Sequence, residues 1–99
     1  MDRSKREQAN HDKKVREEAN KLKEKGFKVN ADIKGFSKPP SIGGYRPDIV
    51  ATKNDQRKII EIETEESKNT ARDKGQQSAF RKEANQNDNT TFRRVITDD

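Results

Sequence analysis

Apolar residues are sparse in this chain and fall in four short clusters, Phe27–Ile33, Ile49–Ala51, Ile59–Ile62 and Phe92–Ile96. Ahead of the first cluster, Asp2–Lys25 holds no Gly or Pro and is dominated by Ala, Glu, Lys and Arg, which predicts a helix. Within it Val15, Ala19 and Leu22 recur at i, i+4 and i+7 and form one narrow buried stripe. Gly26 follows a lysine-rich last turn and reads as the C-cap.

Phe27, Val29, Ala31 and Ile33 alternate with polar residues, the period of a half-buried strand. A loop rich in Gly, Pro and Ser follows, "KGFSKPPSIGG", and then a second strand over Arg46–Thr52. "KNDQR" is a short polar turn consistent with a hairpin, leading into a third strand over Lys58–Thr64. Strands two and three are apolar on both faces, which predicts central, covered strands. A second helix is expected from Thr70 to Gln86, with Gln76 or Gln77, Ala79, Phe80, Glu83 and Ala84 facing inward, and a last strand over Thr91–Ile96. The order α-β-β-β-α-β predicts an α/β fold in which helices flank a mixed central sheet. Its third and fourth strands would form a parallel pair joined by a right-handed crossover.

Composition bounds this picture. The 99 residues suffice for one small domain, so residues 1–99 are expected to form a single unit in which residues 1–8 fray. Only 25% of the chain is hydrophobic and 41% is charged, near the composition of disordered proteins. The clustering of the apolar residues argues for a folded but marginally stable domain. There is no cysteine, so disulfides and thiolate metal sites are excluded. No segment is apolar enough to cross a membrane or act as a signal peptide, which makes no membrane partner and a cytoplasmic location the expectations. The net charge of +5 favours a polyanionic partner.

Carboxylates sit inside the strands the core most needs. Ile59, Glu61 and Glu63 share one face of the third strand, and Asp48 shares a face with Val50 in the second. Paired as a hairpin, these strands bring Asp48, Glu61 and Glu63 to one face. Three carboxylates held together repel and raise their pKa values unless a cation lies among them. Oxygen ligands on a rigid sheet suit Mg²⁺ or Mn²⁺. The competing reading is of ordinary exposed strand acids paired across strands with Lys58 or Arg46.

"RPDIVA…RKIIEIET" resembles the PD-(D/E)xK nuclease superfamily, which has the restriction-endonuclease-like fold. Pro47-Asp48 matches that pattern's first acid, and Glu61 matches the second after a gap of twelve residues. The αβββαβ order matches its core, and "EKGFKVNADI" after a charged helix looks like the opening of archaeal Holliday junction resolvases. The resemblance implies metal-dependent phosphodiester hydrolysis with Asp48 and Glu61 as metal ligands. The sequence departs from the pattern at Glu63, which stands where the family has lysine. A minority of the superfamily use Glu-x-Glu, so Glu63 could be a base or a ligand, but the ammonium that would stabilise developing phosphate charge is missing. Lys68, Lys58 or Arg72 are candidate substitutes.

The family often adds a carboxylate from the first helix. Here Val15 occupies the position that aligns with it, and Glu18, bordering the buried stripe, is the geometric candidate for a fourth catalytic acid. His11 lies on the same stripe and reads as structural or solvent-facing. Lys34, Lys38, Arg46, Lys68, Arg72, Lys74 and Gln76 are candidates to hold nucleic-acid phosphates. Gly35–Tyr45 is a candidate substrate or dimer loop. DNA is favoured over RNA, and a homodimer fits because the chain is small and duplex cutting needs two sites. Two alternatives stay open. One is a catalytically degenerate nucleic-acid-binding or interaction module on the same fold, and the other a partly disordered basic protein without a fixed site.

Overall fold

A computed structural model describes residues 5–64 and 71–97, with the side chains of all of these but residues 5–7 and 72. The elements are α1 (Lys5–Glu24), β1 (Lys28–Ala31), β2 (Ile49–Lys53), β3 (Gln56–Thr64), α2 (Ala71–Gln86) and β4 (Thr90–Thr97). The strands form one sheet in the order β1-β2-β3-β4. β1 with β2 and β2 with β3 are antiparallel, and β3 with β4 is parallel. This is the α/β class expected, a mixed sheet flanked by two helices. β2 and β3 are central, which accounts for their apolar residues on both faces. β4 takes the edge beside β3, with α2 as the long connection that parallel neighbours require.

α1 ends as its sequence predicts. Gly26 adopts φ 92°, Phe27 N–H donates to Leu22 C=O at 3.0 Å and Gly26 N–H to Lys23 C=O at 3.0 Å. This Schellman arrangement satisfies two of the helix's last carbonyls and turns the chain into β1. Val15, Ala19 and Leu22 are buried against Ala31, Ile49, Ala51, Ile60 and Ile62. The other face carries Ile59, packed with Phe80 of α2 and Ile42, and flanked by Phe92 and Tyr45. Because side chains alternate along a strand, Glu61 and Glu63 share the face of Ile59.

The element ends differ from the periodicity, each for a local reason. β2 starts at Ile49 rather than Arg46. Pro47 has no N–H to give a ladder, and the N–H of Asp48 is taken by the side chain of Glu61 at 2.7 Å. The polar turn is only Asn54-Asp55, with Lys53 opposite Gln56 and Asn54 at φ 55°, as a tight hairpin demands. β3 therefore starts at Gln56, two residues earlier than expected.

The expected substrate or dimer loop is partly docked. Ile42 and Tyr45 bond each other through main-chain N–H···O contacts of 2.7 and 3.1 Å, around Gly43 and Gly44. A Cβ built on Gly43 would lie 2.8 Å from that of Ala79, and one built on Gly75 would lie 2.6 Å from the Tyr45 hydroxyl. This end of the loop thus packs on α2 through two glycines. No described helix is long and apolar enough to cross a membrane.

Candidate functional site

The β2–β3 register sets Ile49 opposite Ile60 and Val50 opposite Ile59, so the next pair outward is Asp48 and Glu61. Here side chains take over the ladder. Asp48 N–H donates to Glu61 Oε2 at 2.7 Å, and Ile62 N–H donates to Asp48 Oδ2 at 2.8 Å. β2 thus leaves the sheet at Pro47 without orphaning the amides of its neighbour. The cost is two carboxyl groups in contact, with Glu61 only 3% exposed. α1 closes the arrangement from one side, with His11 Nε2 3.3 Å from Asp48 Oδ2 and His11 Nδ1 3.3 Å from Asp12 Oδ1.

Two acids in contact, Glu61 buried and Asp48 half-buried, cannot both stay charged cheaply. Burial pushes Glu61 up first, and the charge of Asp48, a hydrogen bond between the two carboxyls and the charge of Glu63 add to it. Together they raise it from 4.5 to about 10. Burial also pushes Asp48 upward. The hydrogen bond and charge of His11 oppose this, with help from Glu61 and the Ile62 amide, and leave Asp48 below its ordinary value. At neutral pH the pair therefore carries one proton on Glu61 and one negative charge on Asp48. The two environments push the acids apart in the way that separates acid and base roles in hydrolytic sites.

Glu63 is the next residue on the Glu61 face. It is 3% exposed and contributes its charge to Glu61. Among the described residues no group of three or more acids and histidines is arranged to hold a metal ion. Asp48 and Glu61 are in contact, with Glu63 beside them rather than in a common cage. The donor chemistry nonetheless fits a hard divalent cation: oxygen donors, buried, and sharing a single proton that a dication would replace.

Glu18 is drawn elsewhere. It is buried on α1, with Arg93 Nη2 at 3.8 Å and Lys21 Nζ at 3.9 Å. Arg93 pairs with Ile60 in the β3–β4 register, so it belongs to the α1 face of the sheet, opposite Glu61. His11, two turns earlier on the helix, is the α1 side chain that meets Asp48. Lys34, Lys38, Arg46 and Lys74 are exposed and Gln76 half-buried. Lys68 and the side chain of Arg72 lie outside the described residues. Lys58 spreads over the Phe27 ring, 5.2 Å from its centroid, toward the far end of the strand.

Two further charged groups lie on this side of the sheet. Arg94 stands opposite Glu61 in the parallel β3–β4 register, hence on the same face. Asp73, in the first turn of α2, is 2% exposed; its Oδ2 accepts from Gln77 Nε2 at 2.7 Å and faces Arg94 Nη2 at 3.4 Å. The sequence carried a faint signal for Asp73, an acid at the start of a helix. It carried none for Arg94, whose partner depends on the register across a helical connection.

No curated protein and no solved structure matches the chain. A protein family does, described as AHJR-like (REase_AHJR-like), and the match runs over residues 3–99. It takes in both helices, all four strands and every residue of the acidic pair. The chain belongs to this AHJR-like family, within the PD-(D/E)xK restriction-endonuclease-like superfamily.

Proposed function

We propose that the chain is a metal-dependent nuclease that hydrolyses phosphodiester bonds in DNA, acting as one domain over residues 1–99. The observation that carries this reading is the Asp48–Glu61 pair at the end of a ladder, where the Asp48 N–H donates to the buried Glu61 carboxyl and the half-buried Asp48 carboxyl accepts from the Ile62 amide. Family membership supports the nuclease class. Asp48 and Glu61 would hold Mg²⁺ or Mn²⁺, with Glu63 positioned to accept a proton from water or to add a ligand. A bound cation supplies Lewis-acid polarisation of the phosphoryl oxygen and a more acidic water. The protein's own part is to keep Glu61 desolvated and Asp48 largely shielded, to fix Asp48 through the Ile62 amide, and to balance its charge with His11. Lys34, Lys38, Arg46 and Lys74 are exposed cations available to phosphates.

Labelled duplex, branched and single-stranded DNA incubated with Mg²⁺, Mn²⁺ or chelator tests the proposal. Cleavage should need metal. Asp48→Asn and Glu61→Gln should each abolish it while binding persists, and Asp48→Asn should bind the more tightly of the two because it alone removes the negative charge the metal-free pair carries.

One observation favours a second reading, a binding module that has lost the reaction: Glu63 stands where the superfamily has lysine, and no described three-group metal cage accompanies the pair. Wild type that binds all three DNAs in a salt-dependent way, yet cuts none with either metal, establishes that reading instead.

A further inference from the structure

We infer that Arg94 supplies the cation that touches the scissile phosphate, doing from β4 what the superfamily's lysine does from β3, with Asp73 as its positioning residue. The inference rests on the nuclease reading above and names a residue of that same site. Its starting point is a charge deficit. The face that carries Asp48, Glu61 and Glu63 has acids at the very position where a cation is needed to meet the charge that develops on a phosphoryl group. A carboxylate at residue 63 adds repulsion there in place of the family's cation.

The sheet answers it from the neighbouring strand. In the β3–β4 register Glu61 faces Arg94 and Glu63 faces Ile96. Paired residues on adjacent strands lie on one face with Cβ atoms about 5 Å apart, and diagonal neighbours are within reach of long side chains. Arg94 therefore flanks Glu61 directly and Glu63 diagonally. Lys34, Lys38, Arg46 and Lys74 are exposed and form no described ion pair with these acids. Arg93, the adjacent cation on β4, projects to the other face and is drawn to Glu18.

Arg94 is also held. Its side chain is 25% exposed, against 60% for Arg93. Its guanidinium faces Asp73 Oδ2 at 3.4 Å, and that carboxylate is fixed by Gln77 one turn along α2 at 2.7 Å. A guanidinium has five N–H donors in a planar fork, enough to keep an orienting carboxylate and meet phosphate oxygens bidentately. Asp73 sits in the first turn of α2, where the helix terminus steadies its negative charge. β4 and α2 thus hold one cation between them on the face that carries Glu61.

The test is single-turnover cleavage of labelled duplex DNA with Mn²⁺, with DNA binding measured in parallel without metal. The proteins are wild type, Arg94→Gln, Arg94→Lys, Asp73→Asn and Arg94→Gln/Asp73→Asn. Arg94→Gln should slow cleavage by about 10²–10³, the usual effect of deleting one preorganised donor to developing charge, and change the binding constant less than about threefold. Arg94→Lys should recover part of the rate. Asp73→Asn should lower the rate with little effect on binding. The double variant should be no slower than Arg94→Gln alone, because Asp73 acts through Arg94. The double variant, which removes both charges together, keeps the test decisive if Arg94→Gln alone does not fold. Wild type active and either Arg94→Gln or the double variant within threefold of it overturns the inference and leaves the nuclease reading standing. Multiplicative losses in the double variant overturn the role of Asp73. Wild type that cuts nothing overturns both.

Discussion

Replacing Glu61 with glutamine should make the metal-free protein more stable, although it deletes a residue of the proposed site. The carboxyl of Glu61 is raised from 4.5 to about 10 by burial and by the charges of Asp48 and Glu63. A carboxyl whose folded-state value is raised stabilises the fold fully only below its unfolded value. From there upward the unfolded chain releases a proton that the folded chain keeps, and stability falls as pH rises toward 10. From 4.5 to pH 7 is 2.5 pH units, and at about 1.4 kcal/mol per unit the loss by pH 7 is about 3 kcal/mol. For a domain of this size that is a shift of roughly 10–25 °C in melting temperature. Glutamine has nearly the same shape, keeps an oxygen to accept from Asp48 N–H, and offers an N–H to the Asp48 carboxylate. It has no proton to lose.

Thermal melts of wild type and Glu61→Gln in chelator, from pH 4 to pH 9, read this out. The two should be similar near pH 4 and diverge steadily above it, the variant being the more stable. The difference between the profiles isolates Glu61 from other titrating groups. Asp48 has the opposite sign: its lowered value adds stability above its unfolded value, lost as pH falls below about 4. Adding Mn²⁺ at pH 8 should raise the wild-type melting temperature by mass action and leave Glu61→Gln nearly unchanged. Wild-type stability that is level between pH 5 and pH 8, or a variant no more stable at pH 8, would refute the shared-proton account.

His11→Ala should raise the carboxyl pKa of Asp48, read by NMR titration, since burial would remain while the group 3.3 Å away that opposes it is gone; no change would mean that Glu61 and the Ile62 amide hold Asp48 by themselves. Gly75→Ala should destabilise the protein, although alanine normally favours a helix interior by up to about 1 kcal/mol, because the new Cβ would lie 2.6 Å from the Tyr45 hydroxyl. Tyr45→Phe should rescue it in a denaturant melt, and a stabilising single variant would show that the loop does not dock on α2 as described. Phe80→Ala, at a fully buried site against Ile42, Ile59 and Phe92, should cost about 3–5 kcal/mol in urea unfolding. A loss under 1 kcal/mol would mean that this face has no packed core.

The elements were legible because their signals are local. The Val15, Ala19, Leu22 stripe, the glycine that caps it and the alternation in Phe27–Ile33 each need only neighbouring residues. The central position of β2 and β3 followed from apolar residues on both faces. What local pattern could not give is where β2 begins. "RPDIVA" reads as one continuous strand until the Glu61 side chain is known to take the amide of Asp48. That competitor is thirteen residues away and invisible to any window on β2.

The site divides along the same line. Asp48 and Glu61 are joined by a two-residue turn, and alternation alone places them opposite each other. His11 is 37 residues from Asp48, and only the path of α1 across the sheet brings it there. Arg94 depends on a parallel register set after a helix of 16 residues. From sequence Glu18 is the α1 candidate, being a carboxylate beside the stripe, whereas the geometry puts the histidine His11 against Asp48. That exchange has a physical sense. Asp48, Glu61 and Glu63 already crowd this face with acids, and a fourth carboxylate pressed against the pair from α1 would raise it further. A base beside Asp48 keeps it ionised, and the remaining proton sits on Glu61. The carboxylates occupy a sparse core because the ladder's last amides need acceptors once proline ends β2, and the pair that serves them is one proton away from a site for a dication.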